Sequence, residues 1–202
     1  MRKTLFILGD SISIAYTPPL KQYLGDAWQV TRKGDLPADP IPGEPEPENG
    51  GDSEVFLTYL KANLSKISAD ILLINCGLHD IKHQPKKDSP IQVSLEKYQA
   101  NLREAIRLIR EFGKEPIWVT TTPVDDAQHL RHEQQFFRFD ADRKRYTLAA
   151  AEVMAELSVP VIDLCGFTEQ LDGELYQDHV HFTAEISRLQ AAYIAGALET
   201  MV

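Results

Sequence analysis

Cysteine is scarce in this sequence, two residues among 202, and the placement of those two excludes several chemistries. Cys76 and Cys165 form no Cys-x-x-Cys pair and no Cys/His spacing of a zinc site, and a chain of this length needs no disulfide framework. Both are expected as free, half-buried thiols. Long hydrophobic runs are missing too: no apolar stretch approaches the roughly 20 residues that span a bilayer. The basic and apolar opening from Arg2 to Leu8 breaks off at Gly9-Asp10, short of the apolar region of a signal peptide, so the expected compartment is the cytoplasm. Positive charge is in deficit. Lys and Arg number 21 against 30 Asp and Glu, a formal net charge of −9, and with no basic run to offset it nucleic acid is not an expected partner. No internal repeat and no compositional boundary appears, so residues 1–202 are expected to form one domain.

What is present is an alternation of two periods. Short apolar runs rich in β-branched residues predict strands at Thr4 to Leu8, Trp28 to Thr31, Ile71 to Asn75, Ile117 to Thr121 and Val161 to Asp163. Between and after them, segments of helical period predict helices at about Ile12 to Leu24, Asp52 to Ile67, Leu95 to Phe112, Ala141 to Leu157 and Ala184 to Met201. The third helix carries Leu95, Tyr98, Leu102, Ala105, Ile106 and Ile109 as one stripe and stops at Gly113 and Pro116. Strand–helix alternation of this kind implies an α/β fold, a five-stranded parallel sheet with helices on both faces.

Three segments fit neither period. Lys33 to Gly50 holds Pro37, Pro40, Pro42, Pro45 and Pro47 among Glu44, Glu46 and Glu48, too many prolines for regular structure. His83 to Ser94 and Pro123 to Asp140 are also expected as loops. Each follows a predicted strand, and in an open α/β sheet ligands bind beyond the carboxyl ends of the strands.

Four clusters of residues can carry chemistry. Gly9-Asp10-Ser11 joins the first strand to the first helix, so Ser11 either caps that helix or sits where free N–H groups and the helix dipole favour developing negative charge. Asp178-His179-Val180-His181 precedes the last helix, with Thr183 as its cap. There, a turn would let Asp178 hold the His181 imidazole as a general base needs; the alternatives are a metal site using Asp178, His179 and His181, or plain surface. Asn75-Cys76-Gly77-Leu78-His79-Asp80 ends the third strand, either as a ligand-facing loop or as a turn capped by Asp80. Asn49-Gly50-Gly51-Asp52-Ser53 opens the second helix, and its N–H groups either meet an anion or merely make a turn.

In this order the four clusters resemble the blocks of the SGNH, or GDSL-like, hydrolases, across nearly the whole chain. The resemblance implies a three-layer α/β/α, flavodoxin-like fold, with Ser11 as nucleophile, His181 as base and Asp178 as its orienting acid. It further implies an oxyanion hole made from the Ser11 and Gly51 backbone N–H groups and an asparagine side chain. The sequence departs from the family at that asparagine: the usual Gly-x-Asn-Asp reads Gly77-Leu78-His79-Asp80, so His79 takes its place and can still donate from a ring nitrogen. Asn49 and Asn75 lie near in sequence without matching the position. Such a site needs no metal or organic cofactor, and its expected partner is a small-molecule ester. Of the other histidines, His83, His129, His132 and His179 are expected in loops. Arg131 and Arg138 are expected on solvated surface, with a substrate carboxylate or sugar hydroxyls as the alternative. The expected activity is hydrolysis of an acyl or acetyl ester. Rival readings are an acyltransferase discharging the same acyl-enzyme, a non-catalytic binding module and a metal-dependent hydrolase.

Overall fold

The computed structural model describes residues 2–133 and 135–202. In chain order the elements are β1 (Lys3–Leu8), α1 (Ser11–Leu24), β2 (Trp28–Arg32), α2 (Ser53–Asn63), β3 (Ile71–Ile74) and α3 (Leu95–Glu111). They continue with β4 (Glu115–Val119), α4 (Asp126–His132), α5 (Asp140–Glu156), β5 (Val161–Ile162), α6 (Leu164–Glu169) and α7 (Ala184–Met201). The five strands form one parallel sheet in the order β2-β1-β3-β4-β5.

The apolar runs explain the centre of that sheet. Leu5 to Leu8 and Leu72 to Ile74 are at most 1% exposed, which is why they read as continuous rather than alternating hydrophobics: a parallel strand covered on both faces has no polar side. The chain leaves β1 toward β2 and then returns past β1 to β3, β4 and β5. Because such crossovers are right-handed, the reversal puts the connecting helices on opposite faces. Accordingly α1 packs with α7, and α7 with α6, whereas α3 packs with α2 and α5. The carboxyl ends of β1 and β3, adjacent in the sheet, therefore diverge, and the crevice between them is where a doubly wound sheet accepts a ligand.

Helix starts follow side-chain caps. Asp10, Asp52, Ser94 and Thr183 each accept a hydrogen bond from the first turn of the helix they precede, satisfying N–H groups that have no partner within the helix. Two helices were not expected. Inside Pro123 to Asp140, read as loop, Asp125 accepts from Gln128 N–H and starts α4, and Asp163 accepts from Gly166 N–H to start the six-residue α6. Both are too short to show a helical period, so only the cap could have revealed them. Lys33 to Gly50 and His83 to Ser94 hold no helix or strand, as expected. Strand β4 begins two residues early, pairing Pro116 with Leu72, a position tolerated near a strand's first residue. Cys76 and Cys165 are free but fully buried rather than half-buried, and burial pushes the Cys165 thiol up to about 12. Among the described residues no helix is long and apolar enough to cross a membrane.

Asp80 ties the turn after β3 to the start of α2. Both its carboxylate oxygens lie 3.0–3.1 Å from Ser53 N–H, whose residue in turn takes a hydrogen bond from Asn101. Burial raises the Asp80 carboxyl to about 8, against the Ser53 hydrogen bonds that pull it down. The fold thus keeps a proton that the unfolded chain releases near 3.8, and this group costs stability progressively as pH rises between those two values. Asn at position 80 keeps an acceptor for Ser53 N–H and removes the titration. The melting temperature of Asp80→Asn relative to the parent should therefore climb between about pH 5 and pH 8; a difference that stays constant across that range would show that Asp80 is already ionised in the fold.

Candidate active site

Ser11 begins α1 directly after β1. The Asp10 carboxylate accepts from Ile12 N–H at 3.0 Å and the Asp10 carbonyl from Ser13 and Ile14 N–H. Ser11 N–H makes no hydrogen bond among the described residues and is left free at the helix start. Ser11 is therefore not the cap; that task falls to Asp10, freeing the serine hydroxyl. Gly9 is demanded by packing, since a Cβ there would lie 3.0 Å from the Ser13 side chain.

The Ser11 hydroxyl meets His181. Its Oγ lies 2.7 Å from His181 Nε2, and His181 Nδ1 lies 2.7 Å from Asp178 Oδ2. The second contact is built locally: Asp178 Oδ1 accepts from Val180 N–H at 2.9 Å and His181 N–H at 2.8 Å, so the carboxylate closes its own turn and presents the other oxygen to the ring. A second layer fixes that turn, with Gln177 N–H on His181 C=O and Thr183 N–H on Leu175 C=O, both at 2.9 Å. Partial burial would raise the Asp178 carboxyl, but the two backbone N–H groups and the imidazole outweigh it and hold it down at about 2. Asp178 is thus charged across the neutral range. Chemically, this chain can move a proton from Ser11 Oγ to an imidazole whose far nitrogen faces a fixed carboxylate.

These residues open on a cavity of about 320 Å³ whose walls include His79, Lys82, Arg138 and Asn49. His79 Nδ1 is 3.2 Å from Lys82 Nζ. An ammonium only donates, so Nδ1 is the acceptor and Nε2 carries the hydrogen. Burial, then the charges of Lys82, Arg138 and His181, hold the His79 imidazolium well below its ordinary range, leaving a neutral donor. His179, in the same wall, is pushed down to about 4 by burial and by Arg138.

Gly51 N–H, a donor that the resemblance implies, and Asn75, a nearby asparagine outside the family position, are both otherwise engaged. Gly51 N–H donates to Asn49 Oδ1 at 2.9 Å, and Asn75 Nδ2 donates to Val119 C=O at 2.8 Å. The first bond, however, sets the orientation of the Asn49 amide: its oxygen faces Gly51, so its Nδ2 is directed elsewhere, and Asn49 borders the cavity beside Ser11.

Two charged residues at the end of β2 hold this wall, and the sequence pattern did not single them out. Lys33, 1% exposed, donates to the Glu44 carboxylate and to the carbonyls of Pro47 at 2.7 Å, Asn49 at 2.8 Å and Glu46 at 3.3 Å. Arg32 donates to Glu48 C=O at 2.7 Å. The proline-rich segment, without internal regular structure, is thereby anchored through its carbonyls. A single buried lysine is invisible to periodicity; its only sequence signal is its place at the edge of a strand facing a run of glutamates.

The remaining expectations sort as follows. Arg131 is exposed on α4, whereas Arg138, expected on the surface, is 3% exposed and borders the cavity. His129, expected in a loop, lies in α4, fully buried, and accepts from Arg138 N–H at 3.2 Å. His132 is exposed at the end of α4. His83 pairs with Asp142 at 3.0 Å, far along the chain from the Ser11 site. Among the described residues no three His, Cys, Asp or Glu side chains converge to hold a metal ion; Asp178 Oδ1 is 3.7 Å from His179 Nδ1 while its other oxygen is taken by His181.

Residues 7–189 match the GDSL-like Lipase/Acylhydrolase family, and the chain belongs to that family of ester-hydrolysing enzymes. Among solved structures it resembles a lipase/acylhydrolase from Enterococcus faecalis (21% identity, TM-score 0.71, covering 99% of this chain and 96% of the other). It also resembles the acetyl xylan esterase AlAXEase (16%, 0.69, 96% and 99%) and a GDSL-like lipase from Bacteroides thetaiotaomicron VPI-5482 (14%, 0.66, 99% and 89%). At these identities the structural likenesses speak for the fold. No curated protein matches the sequence.

Lys33→Met should remove the donor shared by Glu44 and three carbonyls and leave that carboxylate without its partner. The expected cost is about 3 kcal/mol, a fall of roughly 6–12 °C in melting temperature for a chain of this size. An unchanged melting temperature would mean that the segment is held by something other than the ammonium.

Proposed function

We propose that this chain is a serine esterase that hydrolyses a carboxylic ester through an acyl-enzyme, with Ser11 as nucleophile, His181 as general base and Asp178 as the acid that orients it. The observation that carries this reading is the unbroken pair of 2.7 Å contacts from Ser11 Oγ through His181 to Asp178, set at the reversal point of the sheet.

In the first half-reaction Ser11 Oγ attacks the ester carbonyl as His181 Nε2 takes its proton. Asp178 remains ionised and stabilises the imidazolium that forms. Collapse of the tetrahedral species expels the alcohol, which receives the proton from His181. Water then repeats the sequence on the acyl-enzyme, releasing the carboxylic acid and restoring the serine. An oxyanion built on Ser11 would be met by Ser11 N–H at the α1 terminus, by His79 Nε2–H and by the Asn49 amide, with Gly51 acting through Asn49 rather than by its own N–H. Histidine thus serves in place of the family's asparagine, and the neutral amide that the block lacks at position 79 is supplied from position 49.

A fluorophosphonate should label the protein once, and Ser11→Ala should abolish both labelling and turnover of a simple acetate ester. Labelling that survived would place the nucleophile elsewhere. Acyl transfer to an added alcohol, followed as new ester alongside free acid, distinguishes a transferase from a hydrolase.

His79→Ala should lower kcat by roughly 10²–10³-fold with a smaller change in KM, and His79→Asn should restore much of it. Because its surroundings keep His79 neutral, the alanine penalty should be the same at about pH 6 and pH 8, on either side of an unperturbed imidazole. A penalty that grows on acidification would show a cationic donor, and undiminished turnover would remove His79 from the hole.

A further inference from the structure

The cavity beside Ser11 holds more positive charge than ester hydrolysis requires. Arg138 and Lys82 border it together, flanking one ring: Phe136 has the Arg138 guanidinium 4.8 Å and the Lys82 ammonium 4.7 Å from its centroid. In the hydrolysis proposed above the Arg138 charge serves only to keep His79 and His179 neutral, and Lys82 spends one of three donors on His79.

Arg138 is an expensive residue to place there. It is 3% exposed, yet its Nε hydrogen bond goes to a neutral group, the Leu78 carbonyl, at 2.5 Å. Its Nη1 has no partner among the described residues. Burial pulls the guanidinium down to about 10 against the attraction of Asp10, Glu133 and Asp178, so it keeps its charge at neutral pH. Neither Asp10 nor Asp178 is hydrogen-bonded to the guanidinium: both Asp178 oxygens go to Val180, His181 and the imidazole, and Asp10 turns Oδ1 to Ile12 N–H while its buried Oδ2 has no hydrogen-bond partner among the described residues. A buried cation whose donors are incompletely met is stabilised by an incoming anion, and guanidinium suits a carboxylate above other groups. Among the described residues Glu46 is the one carboxylate in the cavity wall, carried on the segment that Lys33 anchors, so the two cations outnumber it there.

We infer that Arg138 and Lys82 form an anion subsite for the substrate, so that the ester this enzyme prefers carries a carboxylate close to the scissile bond. The inference rests on the esterase reading of the Ser11 pocket, deepening it from ester to acidic ester. His129 is the positioning residue of the subsite, receiving Arg138 N–H at 3.2 Å.

Binding and turnover test it separately. Matched esters differ only by carboxylate or carboxamide: 3-acetoxybenzoate against 3-acetoxybenzamide places the charge on the alcohol, and phenyl hydrogen adipate against its terminal amide places it on the acyl chain. Calorimetric titration of the Ser11→Ala protein should show one of the two acids binding about tenfold or more tightly than its amide, the scale of a charge-assisted hydrogen bond. The active enzyme should show the same ratio in KM, and raised salt should shrink it. Arg138→Gln and Lys82→Met should each reduce the ratio, and Arg138→Lys should restore part of it. The Lys82 variant stands as an independent check should Arg138→Gln fail to fold. Acids and amides binding alike, or no saturable binding of either acid, would overturn the subsite even where neutral esters are turned over. Selective binding of an acid without turnover of any ester would keep the subsite and overturn the esterase reading.

Discussion

Everything around Ser11 depends on a close approach of two glycine backbones. Gly50 N–H donates to Gly9 C=O at 2.8 Å, and a Cβ on Gly50 would come within 3.0–3.1 Å of the Gly9 carbonyl group. At the end of β1 the sheet no longer supplies a partner for that carbonyl, and an unpaired buried carbonyl is costly. By meeting it, the proline-rich segment gains a fixed end one residue before the Asp10 cap and two before Ser11. From there the wall follows in order: Asn49 precedes the contact, Gly51 turns back onto Asn49, and Asp52 caps α2. The Lys33 ammonium completes the hold from below by accepting no burial without four oxygen partners. A segment with only isolated turns of its own is in this way tied to the end of the strand it borders.

The same economy sets the electrostatics. Burial disfavours the charged form of each ionisable group around the cavity, and the groups differ in what opposes it. His79 and His179 lose their charged forms because burial and the neighbouring cations act together. Asp178 keeps its charge because three hydrogen bonds act against burial. Arg138 keeps its own because a guanidinium starts from so high a basicity that even a large depression leaves it protonated. The neighbourhood of the serine thus combines neutral imidazole donors, a fixed carboxylate behind the base and a cationic rim. A protonated His79 would have strengthened a hydrogen bond but placed a third cation beside Lys82 and Arg138; the structure resolves that conflict by neutralising the imidazole.

What the sequence made legible was whatever repeats or caps. The five strands and five long helices follow from hydrophobic period, whereas the reversal in strand order is seen only in the structure. Spacing suggests the local pairing of Asp178 with His181, three residues apart, and their association with Ser11 comes from the family resemblance. The hydrogen bond from Gly51 N–H to Asn49 Oδ1 was less legible, because residue spacing does not encode a side-chain torsion. Arg138 was the largest misjudgement. Surface exposure is the ordinary fate of arginine in a polar segment, and the short helix α4 that brings His129 beneath it has too few turns to leave a periodic trace.

That misjudgement has a physical cause with consequences for how such enzymes diversify. Ser11 sits at the end of β1 and Asp178 and His181 before α7, where sheet and helix geometry leave little freedom. Arg138, His129 and Phe136 all belong to the one excursion between β4 and α5, which must only close on itself and bury its few apolar groups. Arg138 reaches the cavity through contacts made within that excursion and with the Leu78 carbonyl, not through the sheet. A change in that segment can therefore replace the cation that borders the cavity without moving Ser11, His181 or Asp178. Chemistry is held by the sheet and selectivity by a loop that the sheet does not constrain, so a family defined by its strand-end blocks fixes the first and leaves the second to be read from each chain's own side chains.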